Sequence, residues 1–217
     1  NFTAFLSMSK KLQNLLIFIV LLIAVLPSFL PLFKSGFFTM HDDQQIVRLS
    51  ELDQALTAGQ FPVRWVRNLG FGYGYPLFIF YPPLVYYLGE FFHLVFQTSY
   101  ITSMEIVFAL SFLLSALTMY FWSSYHFGKS SGFISALFYT YAPYRAVDAY
   151  VRGALAEAFS FVWLPLILLS IDRLFEQLST KSKHKYISKW SLVLGVSYAL
   201  LMITHNLIAL PFTLLLM

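Results

Sequence analysis

Cysteine is absent from this chain of 217 residues. That excludes disulfides, thiolate nucleophiles and cysteine-bound metals. Charge is also scarce, with Asp, Glu, Lys and Arg making 11% of the residues, against about 25% in a soluble domain. So few charges cannot clothe a water-facing surface of this size, and a bilayer is the natural solvent. There is no basic groove motif, which excludes nucleic acid as a partner. Nor is there an internal repeat, which speaks against a channel or transporter built from related halves.

What is abundant is apolar sequence: 59% hydrophobic and 19% aromatic, with a mean hydropathy of +0.70. Residues 12–33 carry no charge. About 20 residues at 1.5 Å each span a hydrocarbon core, so this stretch is expected to cross it. Lys10 and Lys11 precede it and place the N-terminus in the cytoplasm. The chain opens on Asn1 and stops within the apolar run PFTLLLM, so we expect the N-terminal part of a longer protein. No small-residue cleavage site follows the first span, which reads as a retained helix.

The next stretch, 34–76, is the first outer loop. Ile46, Leu49, Leu52 and Leu56 recur at helical spacing among Arg48, Glu51 and Asp53, the pattern of a surface-lying amphipathic helix. Asp42 or Asp43 stands where a carboxylate caps such a helix, and Gly59 ends it. FPVRWVR then sets Arg64 and Arg67 around Trp65, an arrangement that suits interfacial anchoring or an anion. Gly70, Gly72 and Gly74 permit tight turns, and Pro82 and Pro83 interrupt or start a helix.

Further on, 106–125, 158–171 and 190–204 are uncharged apolar segments, and 131–144 is a shorter one. The basic run KSKHKYISK, with Lys181, Lys183, Lys185 and Lys189, is expected on the cytoplasmic side. This sidedness brings Arg145, Asp148, Arg152 and Glu157 to the outer face. His205, about 24 Å along a helix from Lys189, joins them. Ionisable residues beside membrane spans are costly and mark function, so these groups and the acidic pair predict an outward polar cavity. One count stays open. Three apolar stretches (76–97, 101–125 and 131–144) separate the outer loop from Arg145, where an even number of crossings is needed.

These residues carry a resemblance. The loop with HDD, the amphipathic helix, FPVRW, GYGYP and FYPPLVYYLG, followed by YRAVDAYVRGALAEA and the pair Thr204-His205, resembles a bacterial multi-pass family. That family is labelled "6-pyruvoyl-tetrahydropterin synthase-related membrane protein" and is similar to the GT-C superfamily of membrane glycosyltransferases. The resemblance covers about residues 12–211. His41, His93, His126, His184 and His205 show no metal-ligand spacing, so pterin-synthase zinc chemistry is not part of the expectation.

The resemblance implies an all-α polytopic transmembrane bundle, one module, in the plasma (inner) membrane. It implies a transferase that moves a sugar from a polyprenyl-phosphate or diphosphate donor to an acceptor on the extracytoplasmic face. Asp42 or Asp43, with Asp148, would be the catalytic acids or metal ligands. Arg64, Arg67, Arg145 and Arg152 would meet phosphate, and His41, Glu157 and His205 would contact substrate. The sequence fixes no cofactor; a pair of carboxylates of this kind can hold a divalent metal, Mg or Mn. The partners are the lipid-linked donor, an acceptor and membrane lipids. The alternative is a non-catalytic protein on the same scaffold that handles lipid-linked glycans or assembles envelope polymers.

Overall fold

The computed structural model describes residues 9–34, 36, 39–179 and 188–217. Lys181, Lys183, Lys185 and His184 lie outside them. Among the described residues the regular elements are helical, with one isolated antiparallel bridge between Val66 and Tyr75. The helices are α1 (Lys10–Val25), α2 (Gln45–Thr57), α3 (Leu77–Phe80), α4 (Leu84–Phe96), α5 (Tyr100–Phe127), α6 (Lys129–Thr140), α7 (Pro143–Ala146), α8 (Leu155–Ser160), α9 (Trp163–Ser179), α10 (Lys189–Thr204) and α11 (Asn206–Leu216). Three stretches are long and apolar enough to cross a membrane: Lys11–Ser28, Tyr100–Phe127 and Leu155–Ser179.

The first apolar stretch does not continue as one helix to residue 33. After Val25 it tightens into two 3-10 turns, Leu26–Ser28 and Leu30–Phe33, each with a proline at its start. Proline has no N–H to give an i→i−4 bond, so the α-helical ladder stops there. Helix α5 is the central post and packs against α6, α9, α4 and α8. Its contact with α6 is close because Gly132 leaves room. A Cβ there would lie 1.9 Å from Ser124 Oγ. Small residues at such crossings let backbones approach, as in bundles built for lipid.

Side-chain bonds define two polar ends. At one, Lys129 Nζ donates to Asn14 (2.5 Å), Trp122 and His126 reach Asp172 (2.9 and 2.8 Å), and Tyr125 reaches Glu176 (3.0 Å). At the other, Tyr141 donates to the Ala24 carbonyl (2.5 Å), Tyr150 to that of Ser28 (2.7 Å), and Trp163 to Thr204 (2.8 Å). So α1, α6 and α10 run from the first end to the second, while α5 and α9 run back. Helix α4 begins with Tyr86 bonded to Gln45 (2.5 Å) at the second end, and reverses through left-handed Gln97 into α5. It stays at that end with α2. This accounts for the three apolar stretches: only the second and third traverse the bundle.

Candidate active site at the helix break

The second end is organised by an interruption. Helix α6 stops at Tyr141, Pro143 opens the four-residue α7, and Val147–Arg152 winds as a π-helical turn. A π turn adds a residue to the helical cycle, and such turns are frequent at functional sites. Gly153 closes it with φ +68, a conformation costly for other residues. The glycine is also needed for space. A Cβ there would stand 2.2 Å from Met40 Sδ.

Into this opening the loop ahead of α2 docks by its backbone. His41 N–H donates to the Val151 carbonyl (2.9 Å) and Asp42 N–H to that of Arg152 (2.7 Å). Gln45 Nε2 donates to the Gly153 carbonyl (2.8 Å), while Gln45 Oε1 accepts from Tyr86. Arg48 donates to the same Tyr86 hydroxyl (3.2 Å) and lies over the Tyr81 ring. This corrects the capping expectation. Gln44 precedes α2 with no side-chain cap, so neither aspartate caps it. The acidic pair is held by tertiary bonds to a segment more than a hundred residues away. Gly59 does end the helix, at φ +84.

The docking sets the two aspartates on different sides. Asp43 faces a narrow groove with Met40, Ile46, Met104 and Glu105. Asp42 is half-buried, its Oδ1 2.9 Å from His41 Nδ1, and its charge acts on Asp148. Asp148 is fully buried. Its Oδ1 accepts from Arg152 Nη1 (2.9 Å), and its Oδ2 has no hydrogen-bond partner. Burial and then the Glu157 charge push its carboxyl up to about 7, against the pull of Arg152 and Arg145.

Arg152 is the hub. It bonds Asp148, the Tyr144 hydroxyl (2.9 Å) and Glu157 Oε2 (2.8 Å). The Glu157 hydrogen bond leads in holding its guanidinium above the usual range. Tyr144 in turn donates to Glu157 Oε1. His205 lies close enough for Glu157 and Arg152 to act on its charge. Its Nδ1 accepts from the Ile208 N–H (3.2 Å), which leaves Nε2 as the protonated nitrogen of the neutral ring.

So Asp42, Asp148, Arg152, Glu157 and His205, expected on one face, do come together, with His41 at the rim. Arg145 lies beneath them. Its guanidinium donates to the carbonyls of Ala158 (2.7 Å) and Ser111 (3.2 Å) and is sandwiched between the Phe112 and Phe161 rings (4.7 and 4.6 Å). A group so committed pins three segments together and has no fork to offer a ligand. Among the described residues, no hydrogen bond or ion pair joins Arg64 or Arg67 to this cluster. Sequence reasoning missed Tyr144 and Gln45. Tyr144 adjoins Arg145, but nothing local marks its hydroxyl as the bridge between Arg152 and Glu157.

No family model, curated protein or solved structure matches the chain. A divalent metal fits poorly. Among the described residues no three His, Cys, Asp or Glu side chains are grouped to hold one. Asp43 faces elsewhere, and Asp148 spends one oxygen on Arg152.

Proposed function

We propose that this end of the bundle is the active site of a GT-C-type membrane glycosyltransferase that uses a polyprenyl-phosphate or diphosphate sugar. The observation that carries the reading is the half-buried Asp42 held beside buried Asp148 and part-buried Arg152 and Glu157 from a distant segment. A carboxylate with a free oxygen at the edge of such a cluster can act as general base. Asp42 takes the proton from the acceptor hydroxyl or amine as its oxygen or nitrogen bonds the anomeric carbon. The bond from that carbon to the phosphate oxygen breaks, and the departing phosphate takes the electron pair. Arg152, with one edge exposed, meets the developing charge. Glu157, Tyr144 and Asp148 hold that guanidinium in place, and His205 Nε2–H is a donor for phosphate or acceptor.

The chain is read as a multi-pass protein of the plasma (inner) membrane with this end extracytoplasmic. Lys129, Arg173 and Lys189 at or near the opposite end support that orientation under the positive-inside rule. The test is sugar transfer or donor hydrolysis by the purified full-length protein in lipid nanodiscs, offered a panel of polyprenyl-phosphate and diphosphate sugars. Asp42→Asn is expected to lower kcat by about 100-fold or more, the usual share of a general base. Asp43→Asn should leave kcat within a few-fold. Unaltered turnover in folded Asp42→Asn protein would overturn the assignment. No turnover with any donor would favour the non-catalytic reading, with Arg152 as a structural tie.

A further inference from the structure

A cavity lies apart from this cluster, between the C-terminal half of α2 and the FPVRW loop. Its volume is about 810 Å³, within the usual span for small-molecule sites. It is lined by Glu51, Asp53, Gln54, Gln60, Trp65, Arg67 and Asn68, with a few small residues. Its amide, carboxylate and guanidinium groups can hydrogen-bond a hydrophilic ligand.

Trp65 is fixed as a platform. The loop 66–75 closes on itself through paired bonds between Val66 and Tyr75 (2.9 and 2.8 Å), with Gly70, Gly72 and Gly74 all at positive φ. Gly74 sits directly against the indole, where a Cβ would lie 2.3 Å from Nε1. The ring is still 46% exposed, so it is held on one side and open on the other.

Around it stand planar polar groups already set in position. Glu51 accepts from the Asn68 backbone (3.2 Å) and side chain (2.8 Å), and Asn68 also donates to Gln54 (2.9 Å). Asp53 accepts from Tyr100 (2.6 Å). Two groups have unused capacity. Gln60 Oε1 is buried without a hydrogen bond, and no hydrogen bond or ion pair to Arg67 occurs among the described residues.

The charge balance decides the ligand class. Two carboxylates against one guanidinium disfavour an anion such as phosphate, and the amides favour no cation. A fixed aromatic face suits the C–H face of a pyranose. Side-chain amides, carboxylates and a guanidinium, which donate or accept in a plane, suit its hydroxyls. We propose that this cavity is a binding site for neutral saccharide, separate from the Asp42 cluster. Asp53 lies about 12 Å along α2 from Gln45, so the same helix carries both sites. The assignment rests on the cavity and does not require the transferase reading.

The test is binding of neutral hexasaccharides of glucose, mannose and N-acetylglucosamine to the full-length protein in nanodiscs, read by saturation-transfer NMR and Trp fluorescence. Saturable binding of at least one is expected. Trp65→Ala should weaken it at least tenfold, and Trp65→Phe should largely retain it. Ala58→Trp, which fills the cavity without touching the platform, should abolish it. Asp42→Asn should leave it unchanged, so this site and the transferase reading fail separately. Undiminished binding in Trp65→Ala would overturn the proposal. So would tighter binding of the sulfated counterparts. A fluorescence response to phosphatidylglycerol vesicles, with none to any saccharide, would make Trp65 an interfacial anchor instead.

Discussion

Asp148 couples the stability of the protein to pH in a way that one substitution isolates. Its carboxyl is fully buried and pushed up to about 7, from an ordinary value near 4. The folded state therefore binds this proton more tightly than the unfolded chain does. Stability is favoured at low pH and lost as pH rises from about 4 through about 7. Each unit of difference is worth about 1.4 kcal/mol, so between pH 5 and pH 8 the wild-type protein forfeits about 2–3 kcal/mol at this group. Asp148→Asn keeps an oxygen for Arg152 and removes the titration. It carries its own constant cost of about 1–3 kcal/mol for an unpaired buried amide, because the position of Oδ2 has no partner. Relative to wild type, the variant should gain about 2–3 kcal/mol from pH 5 to pH 8 whatever that constant is. By the scaling for chains of this size, that is about 5–10 °C in Tm. Thermal denaturation of both proteins in the same nanodiscs at the two pH values measures it. Parallel pH profiles would refute the buried, proton-holding Asp148.

Two other positions give independent checks. Gly153→Ala should cost about 1–2 kcal/mol for its left-handed backbone and more for the contact with Met40. Because the loop carrying Asp42 docks there, transfer activity should fall with it, and Met40→Ala in the same chain should recover part of both. Thermal denaturation and turnover would show this, and a silent Gly153→Ala would mean that the loop does not need the glycine's space. Glu90 is 3% exposed with neither carboxylate oxygen hydrogen-bonded. Burial raises the Glu90 carboxyl above its ordinary range, so Glu90→Gln should gain stability relative to the wild type as pH rises from 5 to 8, measured by the same melts, and parallel profiles would mean that the charge has a partner.

Much of this molecule was legible in its sequence because the signals are one-dimensional. Long uncharged runs give α1, α5 and α9 since a helix satisfies its own backbone in any apolar setting. The period of Ile46, Leu49, Leu52 and Leu56 gives α2, and Gly59 its end. Even the shared end of Asp148, Arg152, Glu157 and His205 follows from counting residues along helices. What tertiary structure decided is where individual side chains turn. Asp42 and Asp43 are neighbours with equivalent local prospects, and a helix cap was the cheapest expectation for either. The backbone bonds from His41 and Asp42 to Val151 and Arg152 separate them, leaving the charge of one within reach of Asp148 and the other carboxylate lining a narrow groove. Arg145 and Arg152 are likewise the same residue type seven positions apart. The π turn and the Phe112–Phe161 sandwich bury one as a pin, while the other becomes the hub of the charged cluster. Such outcomes depend on which distant segments meet, and no local pattern encodes that.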